Sequence, residues 1–88
     1  MNPYIDERNS SKQFVRVFSE QVNNDELIWH RDRKDREVKV LDGVDWKLQY
    51  DNELPFIMRK DETYSIKAEQ YHRILKGKDK LVLEITEK

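Results

Sequence analysis

Apolar residues along this chain fall in short runs, dense in β-branched and aromatic side chains, with charged residues between them and alternating with them. Phe14-Val15-Arg16-Val17-Phe18, Glu26 to His30, Arg36 to Leu41 and Trp46 to Tyr50 make up the first half of the series. Pro55 to Arg59, Thr63 to Ala68, Tyr71 to Leu75 and Leu81 to Ile85 make up the second. Each run has the length and composition of a strand. The turn-like stretches Lys60-Asp61-Glu62 and Lys76-Gly77-Lys78-Asp79 punctuate the second half. Recurrence about every 8–12 residues, with no helical period sustained over roughly 10 residues, predicts an all-β sandwich or barrel of about eight short strands. Ser19 to Asp25 has room for one helical turn. Residues 1–11, with Asn2, Pro3, Asn9, Ser10 and Ser11, show no period and read as a flexible N-terminus, leaving 12–88 as the barrel domain.

Composition narrows the picture. A chain of 88 residues is one domain, and a domain of this size buries only about 60% of the surface its unfolded chain exposes. Its 40% charged content would suit disorder, but the clustering of the apolar residues into β-rich runs argues for a folded chain. Seventeen basic against eighteen acidic residues leave a net charge of -1, so no overall field draws in nucleic acid or an acidic membrane. The chain contains no cysteine. Disulfides and thiolate metal sites are therefore excluded, any metal must use nitrogen and oxygen ligands, and a cytoplasmic location is expected. The stretch Asp6-Glu7-Arg8 interrupts any apolar leader, and no run approaches the roughly 20 apolar residues that span a bilayer, so a soluble protein is expected. With Gly43 and Gly77 as the sole glycines there is no phosphate-cradling loop, and no serine sits in a nucleophile context with a histidine.

Candidate chemistry centres on the two histidines, His30 and His72, both inside strand candidates. In an extended segment Ile28, His30 and Asp32 share one face, whereas on a helix His30 and Asp32 would lie roughly 200° apart. A hairpin through Arg33, Lys34 and Asp35 would bring Glu37 back beside them. Two imidazoles with one carboxylate make the ligand set of non-haem Fe(II) sites, and Mn, Ni, Zn and Co occupy similar sets. Asp32 and Glu37 stand as equal candidates for the carboxylate, singly or together. Each could instead pair with an arginine from Arg31, Arg33 and Arg36, as charged runs between strands commonly do.

The same residues carry a resemblance. The first motif of the cupin superfamily has the form H-x-H-x4-E followed by a glycine, and this chain reads His30-Arg31-Asp32-Arg33-Lys34-Asp35-Arg36-Glu37 with Gly43 beyond. Asp32 stands where the second histidine would be. The second motif, P-x-G-x2-H, reads Lys67-Ala68-Glu69-Gln70-Tyr71-His72, so the histidine is kept and the turn residues are not. From about Glu26 to Ile85 the chain resembles the cupins, and looks like their short single-domain members, some of which are carried by phages, which would place it in a host cytoplasm. The resemblance implies a double-stranded β-helix, or jelly roll, with one divalent metal per chain, iron first, held in a mouth of the barrel by His30, Asp32, Glu37 and His72. It implies no single activity.

A metal-dependent dioxygenase or isomerase acting on a small molecule is the leading expectation; a non-catalytic metal or ligand-binding module and a metal-free structural domain are its rivals. No catalytic residue is identified. Gln49, Tyr64 and Arg73 are candidate pocket residues, set against their ordinary roles on an exposed face, in the core and at the surface. A barrel this small has little chain left for a lid, and the alternating Phe14 to Phe18 strand predicts a homodimer with that strand near the interface.

Overall fold

The computed structural model describes residues 3–88. Eight strands form two antiparallel sheets: β1 (Tyr4–Arg8), β2 (Gln13–Phe18), β3 (Arg36–Val44), β4 (Lys47–Tyr50), β5 (Phe56–Ile57), β6 (Thr63–Ile66), β7 (His72–Leu75) and β8 (Lys78–Glu87). The larger sheet runs β1-β2-β8-β3-β6 and the smaller β5-β4-β7. The all-β expectation holds, although one strand of the eight is exchanged for another.

Side-chain alternation decides what each strand buries. In β8, Leu81, Leu83 and Ile85 are buried while Val82 and Glu84 are only partly covered; in β3 the buried residues are Val38 and Val40; in β2 they are Phe14 and Phe18. These meet Leu48 of β4 and Trp46, which precedes it, in one core cluster drawn from both sheets. Trp46 is wholly buried, and its indole Nε1 donates to the Lys78 carbonyl at 3.1 Å. Between Val40 and Val44 the β3–β8 register slips twice, and Gly43 supplies the φ of +152° found at this bulge.

Gly77 is the position where the chain passes nearest itself. A Cβ there would run into the backbone of Val44, Asp45 and Trp46, so Gly77→Ala is expected to lower stability by about 1–3 kcal/mol, the usual cost of overpacking. Chemical denaturation would show this as a lower midpoint with the slope unchanged.

Three expectations are corrected. The segment 1–11, expected to be a flexible terminus, contains β1 over Tyr4–Arg8, paired along its length with β2; Met1 and Asn2 lie outside the described residues. The pairing is fastened by side chains: the Tyr4 ring meets Phe18 edge-on at 5.4 Å, the Arg16 guanidinium lies 3.6 Å over Tyr4, and Arg16 donates twice to Asp6, at 2.8 and 3.0 Å. Glu26 to His30 is not a strand. Asn24–Glu26 is one 3₁₀ turn, entered through Asn23, whose backbone N–H donates to the Glu26 carboxylate at 3.4 Å. Nor can β2 offer an edge to a second subunit, because β1 and β8 occupy both its sides; the outer strands of this sheet are β1 and β6. Among the described residues no helix is long and apolar enough to cross a membrane.

Candidate metal centre

Although Glu26 to His30 forms no strand, His30 makes one antiparallel bridge with the first residue of β7. The His30 N–H donates to the His72 carbonyl at 3.0 Å and the His72 N–H to that of His30 at 2.9 Å. Directly opposed residues of an antiparallel pair project to one face, and the two imidazole centroids stand 4.2 Å apart. The loop after His30 is strapped to the turn before His72: Glu69 N–H donates to the Asp32 carbonyl at 2.7 Å and Ala68 N–H to the Asp35 carboxylate at 2.7 Å. Glu69, at the glycine position of the second motif, has φ +65°. It takes up the left-handed conformation that glycine would adopt freely, so the turn keeps its shape without the residue that favours it.

The ring nitrogens are sorted by their partners. His30 Nδ1 lies 3.0 Å from the Ile28 carbonyl and His72 Nδ1 2.9 Å from that of Gln70. A carbonyl only accepts, so each neutral ring carries its proton on Nδ1 and keeps a lone pair on Nε2. His72 is 3% exposed, and burial above all pushes its pKa below the ordinary 6.5, which keeps it neutral at pH 7. Both Nε2 atoms face Asp32: His30 Nε2 is 4.0 Å from Oδ1, and His72 Nε2 is 3.4 Å from Oδ2. Asp32 Oδ2 is buried and has no hydrogen-bond partner among the described residues. The two Nε2 atoms thus face the two oxygens of one carboxylate, the buried one without a hydrogen-bond partner, an arrangement that a cation held among them would satisfy. One ligand atom from each of His30, Asp32 and His72 lies within 4.8 Å of the others. This donor set fits a divalent ion, and the Nδ1–carbonyl bonds are the outer contacts that orient metal-binding imidazoles.

Glu37 is not brought to this cluster, which corrects the expected four-residue ligand set. β3 buries Val38 and Val40, so the inward-facing neighbour on the same alternation is Arg36, and Glu37 points outward to accept from Lys88 Nζ at 2.8 Å. Glu37→Ala is therefore expected to leave metal stoichiometry and affinity unchanged by titration, whereas Asp32→Ala loses binding. Arg36 instead approaches Asp32 Oδ1 with Nη1 at 3.2 Å and donates Nε and Nη2 to Glu87 Oε2 at 3.1 and 2.9 Å. These bonds hold the Glu87 carboxyl below its ordinary pKa. Arg36 also fixes the Asp32 carboxylate by Oδ1, leaving Oδ2 turned to His72. The sequence names Arg36 as one possible ion-pair partner of Asp32, and that pair forms; Glu87 is the residue that sequence reading missed as part of the site, and the alternation of Val38 and Val40 is the signal that turns Arg36 inward.

The cluster opens on a cavity of about 340 Å³ within the barrel, walled by residues of both sheets and reached by His30, His72 and Arg36. The expected pocket residues Gln49, Tyr64 and Arg73 are not among its described lining. Gln49 and Arg73 pair across β4 and β7 on the face opposite Leu48 and Ile74, with Arg73 Nε donating to Gln49 Oε1 at 2.8 Å. The Tyr64 hydroxyl accepts from the Arg59 N–H at 2.8 Å while its ring packs against Phe56.

Neither a scan against protein-family models nor a search of curated proteins finds a match. Solved structures do match. An RmlC-like cupin family protein with a double-stranded β-helix fold from Methanocaldococcus jannaschii superimposes with a TM-score of 0.74 at 11% identity, over 99% of this chain and 81% of that one. A cupin domain from Bordetella pertussis gives 0.64 at 13% identity, over 97% and 91%. A DMSP lyase structure gives 0.73 at 13% identity over 86% of this chain, which spans only 37% of that protein's length. These likenesses establish the cupin double-stranded β-helix as the fold.

Proposed function

We infer that this chain, a cupin in fold, is a metal-dependent enzyme of the dioxygenase or isomerase kind, binding one divalent ion, iron first, through His30, Asp32 and His72 and acting on a small molecule admitted to the barrel. One observation carries the reading: the Asp32 carboxylate, one oxygen of which is buried and unpartnered, gathers with the Nε2 atoms of two histidines whose other nitrogens already face carbonyls. When bound, such an ion supplies Lewis acidity or a site for oxygen activation.

The chain's own residues do the rest. Carbonyls of Ile28 and Gln70 hold the imidazoles in the ligating tautomer, and Arg36 holds Asp32 by Oδ1. His30, with a side chain 42% exposed, stands at the approach from solvent. Elemental analysis of protein purified without an affinity tag tests the reading, with close to one divalent ion per chain expected; a chain that retains none after reconstitution with Fe(II), Mn(II), Ni(II), Zn(II) or Co(II) contradicts it. Oxygen uptake or isomerised product with small organic acids then separates an enzyme from a binding module, which would show thermal stabilisation without product.

A further inference from the structure

The barrel opens on a pocket of about 340 Å³, within the roughly 300–1,000 Å³ occupied by ligand sites. Most of its lining is apolar, with Val38, Leu48, Met58, Ile66, Leu83 and Ile85 along the wall, and its polar side chains are Tyr4, Arg16, Glu26, His30, Arg36 and His72. A sugar placed there would turn most of its hydroxyls to apolar side chains. Polar groups gather instead where His30, His72 and Arg36 reach the cavity. There the one carboxylate among the ligand candidates, Asp32, is shared with Arg36, whose own charge is met by Glu87. A divalent ion at this point retains positive charge that the protein does not balance. Of the other charged lining residues, Arg16 is already matched by Asp6, and the Glu26 carboxylate faces its own turn.

We propose that the cavity takes an apolar carboxylate: an anionic oxygen head beside the metal centre and a hydrocarbon body along the barrel wall. The inference rests on His30, Asp32 and His72 holding an ion, and it names the class of molecule on which that centre acts. Zinc-loaded and metal-free protein would be titrated with saturated carboxylates from acetate to octanoate, with 1-octanol and glucose alongside, following backbone amide resonances. In the zinc form, octanoate is expected to shift the amides of Leu48, Ile66 and Leu83, and affinity to rise about threefold to fourfold for each methylene buried. Octanol should bind at least about tenfold more weakly than octanoate, the difference a charge-assisted contact makes, and that preference should vanish when the metal is removed. Glucose should bind in neither form.

Acetate and octanoate binding equally, or glucose binding as well as octanoate, would overturn the apolar body. A zinc-loaded protein that prefers octanol would overturn the anionic head while leaving the metal reading intact. A chain that takes up no zinc defeats the metal reading and the head group together, and octanol against glucose on that metal-free protein still decides the apolar body.

Discussion

Adding a divalent ion at about a hundredfold excess over its dissociation constant is expected to stabilise the wild-type chain by roughly 2.7 kcal/mol, which for a domain of this size raises the thermal midpoint on the order of 10–20 °C. His72→Ala should show almost none of that rise. The reason is local. His72 offers the more buried of the two ligand nitrogens, 3.4 Å from the unpartnered Asp32 Oδ2, while its Nδ1 is occupied by the Gln70 carbonyl. Removing it deletes one of three donors, so the affinity loss should exceed the roughly 10–100-fold that follows loss of an outer-shell partner. Arg36→Gln provides that lesser case, because it frees Asp32 Oδ1 without removing a donor. Calorimetric scans with ion and with chelator make the comparison. An equal rise in wild type and His72→Ala would mean that the ion binds elsewhere.

The second large effect concerns the core. Trp46→Ala is expected to cost about 3–5 kcal/mol, the range for deleting a buried large aromatic. The indole is wholly buried, contacts Phe18 at 5.9 Å between centroids, and donates to the Lys78 carbonyl. That carbonyl loses its partner as well. Total stability at roughly 0.05–0.15 kcal/mol per residue comes to about 4–13 kcal/mol for a chain of this length, so the substitution removes from about a quarter to all of it and should lower the denaturation midpoint steeply. Leu54→Ala, at a leucine 87% exposed, should stay within about 0.5 kcal/mol of wild type. Urea denaturation followed by far-UV circular dichroism distinguishes the two, and a Trp46→Ala midpoint near that of wild type would show that the indole fills space the core can spare.

Much of the architecture is legible in the pattern of runs, because alternation over β2, β3 and β8 is strong enough to give strand and face together. The motif spacing brings His30 and His72 to one place, and their rings do stand side by side. What the pattern misses follows from two physical causes. The first is competition by local bonds: the Asn23–Glu26 contact bends a β-prone run into a turn, and His30 regains strand geometry only through its bridge to a residue 42 positions away. β1 is the converse case, since Tyr4 is held by Phe18 and Arg16 across the sheet while Ile5 stays 76% exposed, so the segment shows no apolar stripe of its own. The second cause is parity. A shift of one residue turns a strand side chain to the opposite face, and that single step sends Glu37 outward with Arg36 inward, and carries Gln49 and Arg73 away from the cavity that Leu48 and Ile74 line.

The placement of β8 has a consequence for how the molecule comes into being. This strand, made after the other seven, lies between β2 and β3 and contributes Leu81, Leu83 and Ile85 to the core. While the ribosome is still adding residues 78–87, β2 and β3 have no mutual partner, and their apolar faces stay uncovered. Closing the larger sheet then joins segments far apart in sequence, the slow kind of contact for a β topology. The nascent chain therefore passes through an interval of exposed strand edges, when a holding chaperone would find it, before the arrival of one segment completes the barrel.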